Sequence, residues 1–308
     1  MNGGQDTSLA GELGPNLESP SRVASILVAT DGTATSHAAY AAAELIAASC
    51  RARVHVLSVL ELIPAIVPPP GTPMIGTGID RSREDALRID MVEQLLQRGQ
   101  LAKWTTEIRF GKPAAVISKV ANERNADLII LGASRHGMVD RLLGEETATH
   151  LARCVKRPLL VAGPSFTRLP QRMIVGLDLV HTDRSALVRT LDILGSPESV
   201  SIVHVEPRSE ALGVDWAVYD GEYRREVEKA FEELTHQLGE RPQVERDLVV
   251  LHGDVAREIN EFAESVQAEL VVLGVKPRSA LSIAPGGGIA MKTLRSARCS
   301  VLLVPNRC

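Results

Sequence analysis

The run IAPGGGIAMKT, Ile283 to Thr293, carries three consecutive glycines behind a proline and ahead of a lysine and a threonine. Glycines that open a helix leave backbone N–H groups unshielded at the positive end of its dipole, which is the chemistry of phosphate binding. The run is not a P-loop. That motif places lysine directly after its last glycine, whereas Lys292 lies four residues beyond Gly288. GTGID, from Gly76, lacks the third glycine of a dinucleotide fingerprint and follows no strand, so it reads as a loop. Two acids, Asp31 and Asp178, each end a short apolar run, and Gly132 and Gly274 end two others. A carboxylate there accepts hydrogen bonds from a ribose hydroxyl or an adenine amino group. Equally, it caps the helix that follows, and on the motifs alone both readings stand.

Other chemistry is sparse. His252 and Asp254 lie two apart, as do His181 and Asp183, but neither pair has a third ligand, so capping or solvated surface is expected and no metal. His204, in VSIVHVEP, falls near a strand end and is a candidate pocket-lining residue. No nucleophile, base and orienting group can be assembled, and no catalytic residue is assigned. Lys276, Arg278 and Lys292 offer positive charge near the triple glycine. The segment from Asp215 to Glu240 reads as a charged, solvated helix, with Trp216 and Tyr219 as alternative cover for a second pocket or a partner.

The elements that position these residues come in two copies. SILVATDGTATSHAAYAAAELIA, from Ser25, resembles RMIVGLDLVHTDRSALVRTLDIL, from Arg172, so Asp31 pairs with Asp178 at an offset of 178 − 31 = 147. FGKPAAVISKVANERNADLIILGAS, from Phe110, matches HGDVAREINEFAESVQAELVVLGVK, from His252, without a gap. That register pairs Gly111 with Gly253 and Gly132 with Gly274, an offset of 142. Copy one therefore holds 147 − 142 = 5 extra residues, assigned to the Pro/Gly-rich stretch Leu62 to Asp80. In copy one, strands are expected near 24–30, 52–59, 103–109, 127–131 and 158–162, and helices near 34–49, 82–100, 112–124 and 145–155. Continuous runs such as DLIILG and ELVVLG suit strands buried on both faces of a parallel sheet. Strand–helix alternation then predicts a doubly wound α/β fold with right-handed crossovers, jointed at Gly163 to Gln171. Its ligands belong outside the carboxyl ends of the strands, at the switch point.

Bulk properties agree. The 308 residues suffice for two domains of about 150 each. Aromatics are only 3%, so the cores must be built from Val, Ile, Leu and Ala. A formal net charge of -4 offers no basic field for nucleic acid. No apolar run approaches the ~20 residues of a membrane span, and the polar first 21 residues lack a signal h-region and read as a disordered tail. The four cysteines, Cys50, Cys154, Cys299 and Cys308, form no C-x-x-C pair and suit a cytoplasmic location with reduced thiols.

VATDGT, the turn after the third strand, ADLIILG and the closing RPLLV together resemble the universal stress protein family. The resemblance spans about Arg22 to Pro305, as in its tandem members. It implies a tail at 1–21 and modules at 22–163 and 172–305. Each module is expected to be a five-stranded sheet of the adenine-nucleotide-hydrolase-like, Rossmann-related kind, and the two to pair through their last strands as an intrachain pseudo-dimer. A subset of the family binds ATP with a loop of the form G-x2-G-x9-G-[ST]. This chain departs from that form twice. In copy one, Arg135 replaces the second glycine, and Glu145 and Glu146 take the terminal positions, where carboxylates at a helix start would fill the place of a phosphate. In copy two, Pro277 replaces the second glycine, but Gly286, Gly287 and Gly288 stand where copy one has Gly144, Glu145 and Glu146. The expectation is a stress-response regulator that holds a nucleotide, ATP, in module two without efficient turnover. The contact set would be Gly176, Leu177, Asp178, Val205, Leu273, Gly274, Gly286, Gly287, Gly288 and Ile289, with Asp31 and Gly132 as weaker counterparts. Protein partners or a homo-oligomer fit such a regulator. A nucleotide-free scaffold, a binder of lipid-like ligands and a slow ATPase are the competing readings.

Overall fold

The computed structural model describes residues 23–32, 36–61, 81–133, 141–154, 156–179, 185–195, 197–206, 216–237, 245–275 and 288–305. The tail, the stretch assigned the five extra residues, His181, Asp183, Lys276, Arg278, Gly286 and Gly287 lie outside them. Copy one runs β1 (Ser25–Thr30), α1 (Ser36–Cys50), β2 (Arg53–Leu60), α2 (Arg81–Gln97), β3 (Thr105–Phe110), α3 (Pro113–Glu123), β4 (Leu128–Gly132), α4 (Arg141–Cys154) and β5 (Leu159–Ala162). Copy two runs β6 (Arg172–Gly176), α5 (Ser185–Leu194), β7 (Ser199–Glu206), α6 (Trp216–Gln237), β8 (Glu245–His252), α7 (Val255–Ser265), β9 (Leu270–Val275), α8 (Ile289–Ser296) and β10 (Ser300–Pro305).

One ten-stranded sheet results, ordered β3-β2-β1-β4-β5-β10-β9-β6-β7-β8. Pairing is parallel within each copy and antiparallel only between β5 and β10, where Leu160 faces Leu302. This is the expected intrachain pair, joined through the last strand of each copy. Alternation along the strands sorts the core into two layers. Ile26 and Val28 belong to the layer that includes α1, α2, α5 and α6, whereas Leu27 and Ala29 belong to the layer that includes α3, α4, α7 and α8. The strands read as continuous apolar runs because both faces are covered. Where aromatics are scarce, small residues set the packing: Ala39, Ala42 and Ala43 in α1 are fully buried and let the helix lie close to the sheet.

Two repeated devices hold the copies in register. Gly111 and Gly253 turn the chain into α3 and α7 at φ +139° and +148°, a conformation costly for any residue with a Cβ. Asp127 Oδ2 accepts hydrogen bonds from the Ala24 and Ser25 amides at 2.9 and 3.0 Å, so the start of β1 is pinned beside β4. Its equivalent, Glu269, does the same for β6: it accepts from the Gln171 and Arg172 amides and pairs with Arg168 at 2.7 Å. Burial alone would push the Glu269 carboxyl up, but these hydrogen bonds outweigh it and hold the group below the usual carboxylate range. Cys50 and Cys299 are free thiols, and burial pushes Cys299 up to about 11. Among the described residues no helix is long and apolar enough to cross a membrane.

Candidate functional site

Strand order puts the switch point of copy one between β1 and β4, and of copy two between β6 and β9. In copy one Asp31 follows β1 directly, and Gly132 closes β4 in register with Ala162. Asp31 is already engaged: its Oδ1 accepts the Ser36 hydroxyl, the first residue of α1, at 3.0 Å. The next residue must be glycine. Gly32 sits at φ +77°, and a Cβ there would come within 2.7 Å of Leu87 and 3.2 Å of the Asp90 carboxylate on α2. Its amide donates to Thr30 Oγ1 at 3.1 Å, which closes a tight turn beneath α2.

In copy two the corresponding turn is built differently. Gly176 closes β6 because a Cβ would meet Leu273 at 2.7 Å and Ile259 at 3.0 Å, so its function is close packing of β6 on β9 and α7. Leu177 and Leu179 are buried while Asp178 between them is exposed, which leaves the carboxylate at the rim of the edge. His204, buried on β7, fixes this turn. Its Nδ1 lies 3.1 Å from the Leu177 carbonyl oxygen and 3.4 Å from the Leu179 amide, and its Nε2 lies 2.8 Å from the Tyr223 hydroxyl on α6. The imidazole ties α6 to the backbone beside Asp178 in either tautomer: a protonated Nδ1 donates to the Leu177 carbonyl, and an unprotonated one accepts the Leu179 amide. Val205 and Leu273 are buried on the opposite face, in the layer of α7 and α8, and Gly274 pairs with Val304. The ends of β6, β7 and β9 thus gather Leu177, Asp178, Val205 and Gly274 along one edge.

The largest difference between the copies lies after β4 and β9. The expected start of the last helix in copy one, near residue 145, is corrected: α4 begins at Arg141, so Glu145 and Glu146 are its fifth and sixth residues and lie past the free N–H groups of the first turn. They do not occupy a phosphate place at a helix start. Arg141 aligns with Ile283 at the offset of 142, yet α8 begins only at Ile289. It has 8 residues against 14 in α4, a difference of six. Gly288 is its N-cap, with extended backbone (φ −69°, ψ 174°) and no side-chain cap. The first helical bonds run from the Met291 and Lys292 amides to the Gly288 carbonyl at 2.9 and 3.2 Å, so the Ile289 and Ala290 amides precede them. Ile289 itself is half exposed.

Lys292 is not aimed at that terminus. Its amine lies 3.4 Å from Asp254 Oδ2, and Asp254 caps α7 by accepting the Arg257 amide at 3.1 Å. That backbone bond, with Lys292 behind it, holds the Asp254 carboxyl below its usual range. His252 pairs instead with Glu206 at 3.0 Å. Two contributors escaped the sequence reading. The Asp127–Glu269 staple was legible as acids at the same offset, and Tyr223, one residue in a charged helix, left no signal.

A model of the universal stress protein family matches residues 23–163 and again residues 170–305. The chain belongs to the universal stress protein family. Among solved structures, a universal stress protein from Archaeoglobus fulgidus DSM 4304 superposes with a TM-score of 0.61 at 16% identity, over 91% of this chain and 98% of that one. A functionally unknown protein from Pseudomonas aeruginosa PAO1 gives 0.63 at 16% identity, over 92% and 93%. At such identities the two structures attest the fold of this chain and nothing further. No curated protein matches the sequence.

Proposed function

We propose that this universal stress protein is a regulator that binds an adenine nucleotide, ATP, at the strand ends of module two, while module one is chiefly structural. The observation that carries the reading is the late, glycine-led start of α8. The Ile289 and Ala290 amides stand there at the positive end of a helix dipole that no side chain caps. Asp178 would take the ribose or adenine end, on a turn that His204 holds still. With Lys292 engaged by Asp254, the phosphates would rest on backbone amides. Binding then acts by favouring one arrangement of the chain over another, not by turnover. In module one the acid serves Ser36 and the helix runs on through Gly144 to Glu146, which favours a scaffold role for that half.

Native mass spectrometry of the purified chain, followed by titration with a fluorescent ATP analogue, tests this. The expected result is one site per chain, weakened at least about tenfold, or roughly 1.4 kcal/mol, by Gly288→Glu. Absence of binding at millimolar ATP would overturn it and leave the scaffold.

A further inference from the structure

Four of the six large hydrophobic residues exposed among the described residues lie on α2 or just after it: Ile89, Val92, Leu96 and Leu101, at 58%, 38%, 64% and 42% exposure. The helix already has a core face, since Met91 and Leu95 are buried and Leu87 is partly so. At 100° per residue, Ile89, Val92 and Leu96 fall on nearly the opposite side. Their spacing of three and then four is the a–d–a spacing of a coiled-coil seam. Module two supplies an internal control. Its equivalent helix, α6, exposes Arg224, Arg225, Glu228, Lys229, Glu232 and Glu233. The fold therefore does not require an apolar outer face on this helix, and among the described residues only α2 has one.

We propose that this face pairs with the same face of a second copy of the chain, as a parallel two-helix seam related by a two-fold axis. The flanking charges select both partner and direction. With Ile89 at a, Arg88 falls at g and Glu93 at e. In a parallel pair each g residue meets the e residue five positions on in the other helix, so Arg88 meets the partner's Glu93, and the symmetric contact forms as well. An antiparallel pair sets g against g and e against e, and loses both contacts. Arg88 is free to exchange, because its present bond is an exposed pair with Glu84 at 3.0 Å on its own helix. The seam is short, as 17 residues span about 25 Å, which suits a concentration-dependent dimer. The β5–β10 joint is used up within the chain, so this contact would join two pseudo-dimers through their first modules only.

Sedimentation equilibrium of the full chain is the test. Wild type is expected to approach twice 33.2 kDa with rising concentration, and Leu96→Lys to stay at 33.2 kDa with an unchanged thermal melt. Arg88→Glu and Glu93→Arg should each weaken the dimer about tenfold, and the two together should restore it to within about twofold. Val92→Cys should give a covalent dimer under mild oxidation that wild type does not give. A wild type that stays monomeric at about 100 µM overturns the proposal, as would be seen if the chain's own residues 62–80 or a foreign partner covered the face. A dimer indifferent to Leu96→Lys, or one that the double charge reversal fails to restore, overturns it too.

Discussion

The two modules share strand order, helix placement and the staple at Asp127 and Glu269, yet they part at one aligned stretch. Where module one continues α4 through Gly144, Glu145 and Glu146, module two delays α8 until after its three glycines. The same position is thus interior helix in one half and helix terminus in the other. A smaller contrast sits at the start of α3 and α7, where Lys112 offers no side-chain cap and its counterpart Asp254 does. The repeat conserves what the sheet needs and varies what lies along its carboxyl edge. Packing in such a fold is set by strand register and buried small residues, so edge residues can change without disturbing it.

The contrast presupposes that the halves fold as one unit, and the largest effect tests that. Leu302→Ala, at the fully buried joint, should cost about 2–5 kcal/mol. Trp104 and Trp216 lie one in each half, so fluorescence of single-tryptophan variants should show both halves unfolding at the same lower denaturant concentration. Separate transitions would make the modules independent.

Exchanging the caps comes next. Asp254→Ala should cost about 1 kcal/mol, while Lys112→Asp should gain about 0.5–1 kcal/mol by giving module one the cap it lacks. The Asp254 carboxyl titrates lower folded than unfolded. Its contribution is therefore present above about pH 4 and lost as pH falls through the folded value, so the gap between wild type and Asp254→Ala should close in acid. Urea melts at pH 7 and pH 3 measure both. The smallest effect is expected from Lys292→Ala. As one half of an exposed pair it should change stability by no more than about 0.5 kcal/mol, and nucleotide affinity by less than about twofold, because the amine is turned to Asp254.

The fold was readable because it rests on features that sequence displays directly: apolar runs buried on both faces, two copies in register, and glycines at fixed turns. Strands near 24–30 and 127–131 became β1 and β4 within a residue or two. The edge was harder. The start of α4 was misjudged by four residues because Gly144 looks like a break, although a glycine inside a helix costs only about 1 kcal/mol and its neighbours can carry it. Lys292 looked available for a phosphate because sequence shows charge but not partner, and Asp254 is 38 positions away. The packing task of Gly176 was invisible for the same reason: Leu273 and Ile259 approach it from other elements. His204 could be placed near the edge from its strand, but its bond to Tyr223 depends on how α6 crosses β7.

If module two alone binds nucleotide, the two strand edges differ in function. Equilibrium titration of ATP into wild type, Asp31→Ala and Asp178→Ala, with stoichiometry read in each, tests it most directly. One site is expected in wild type, with unchanged affinity in Asp31→Ala and at least about tenfold weaker binding in Asp178→Ala. Two equivalent sites, or a loss confined to Asp31→Ala, would contradict it.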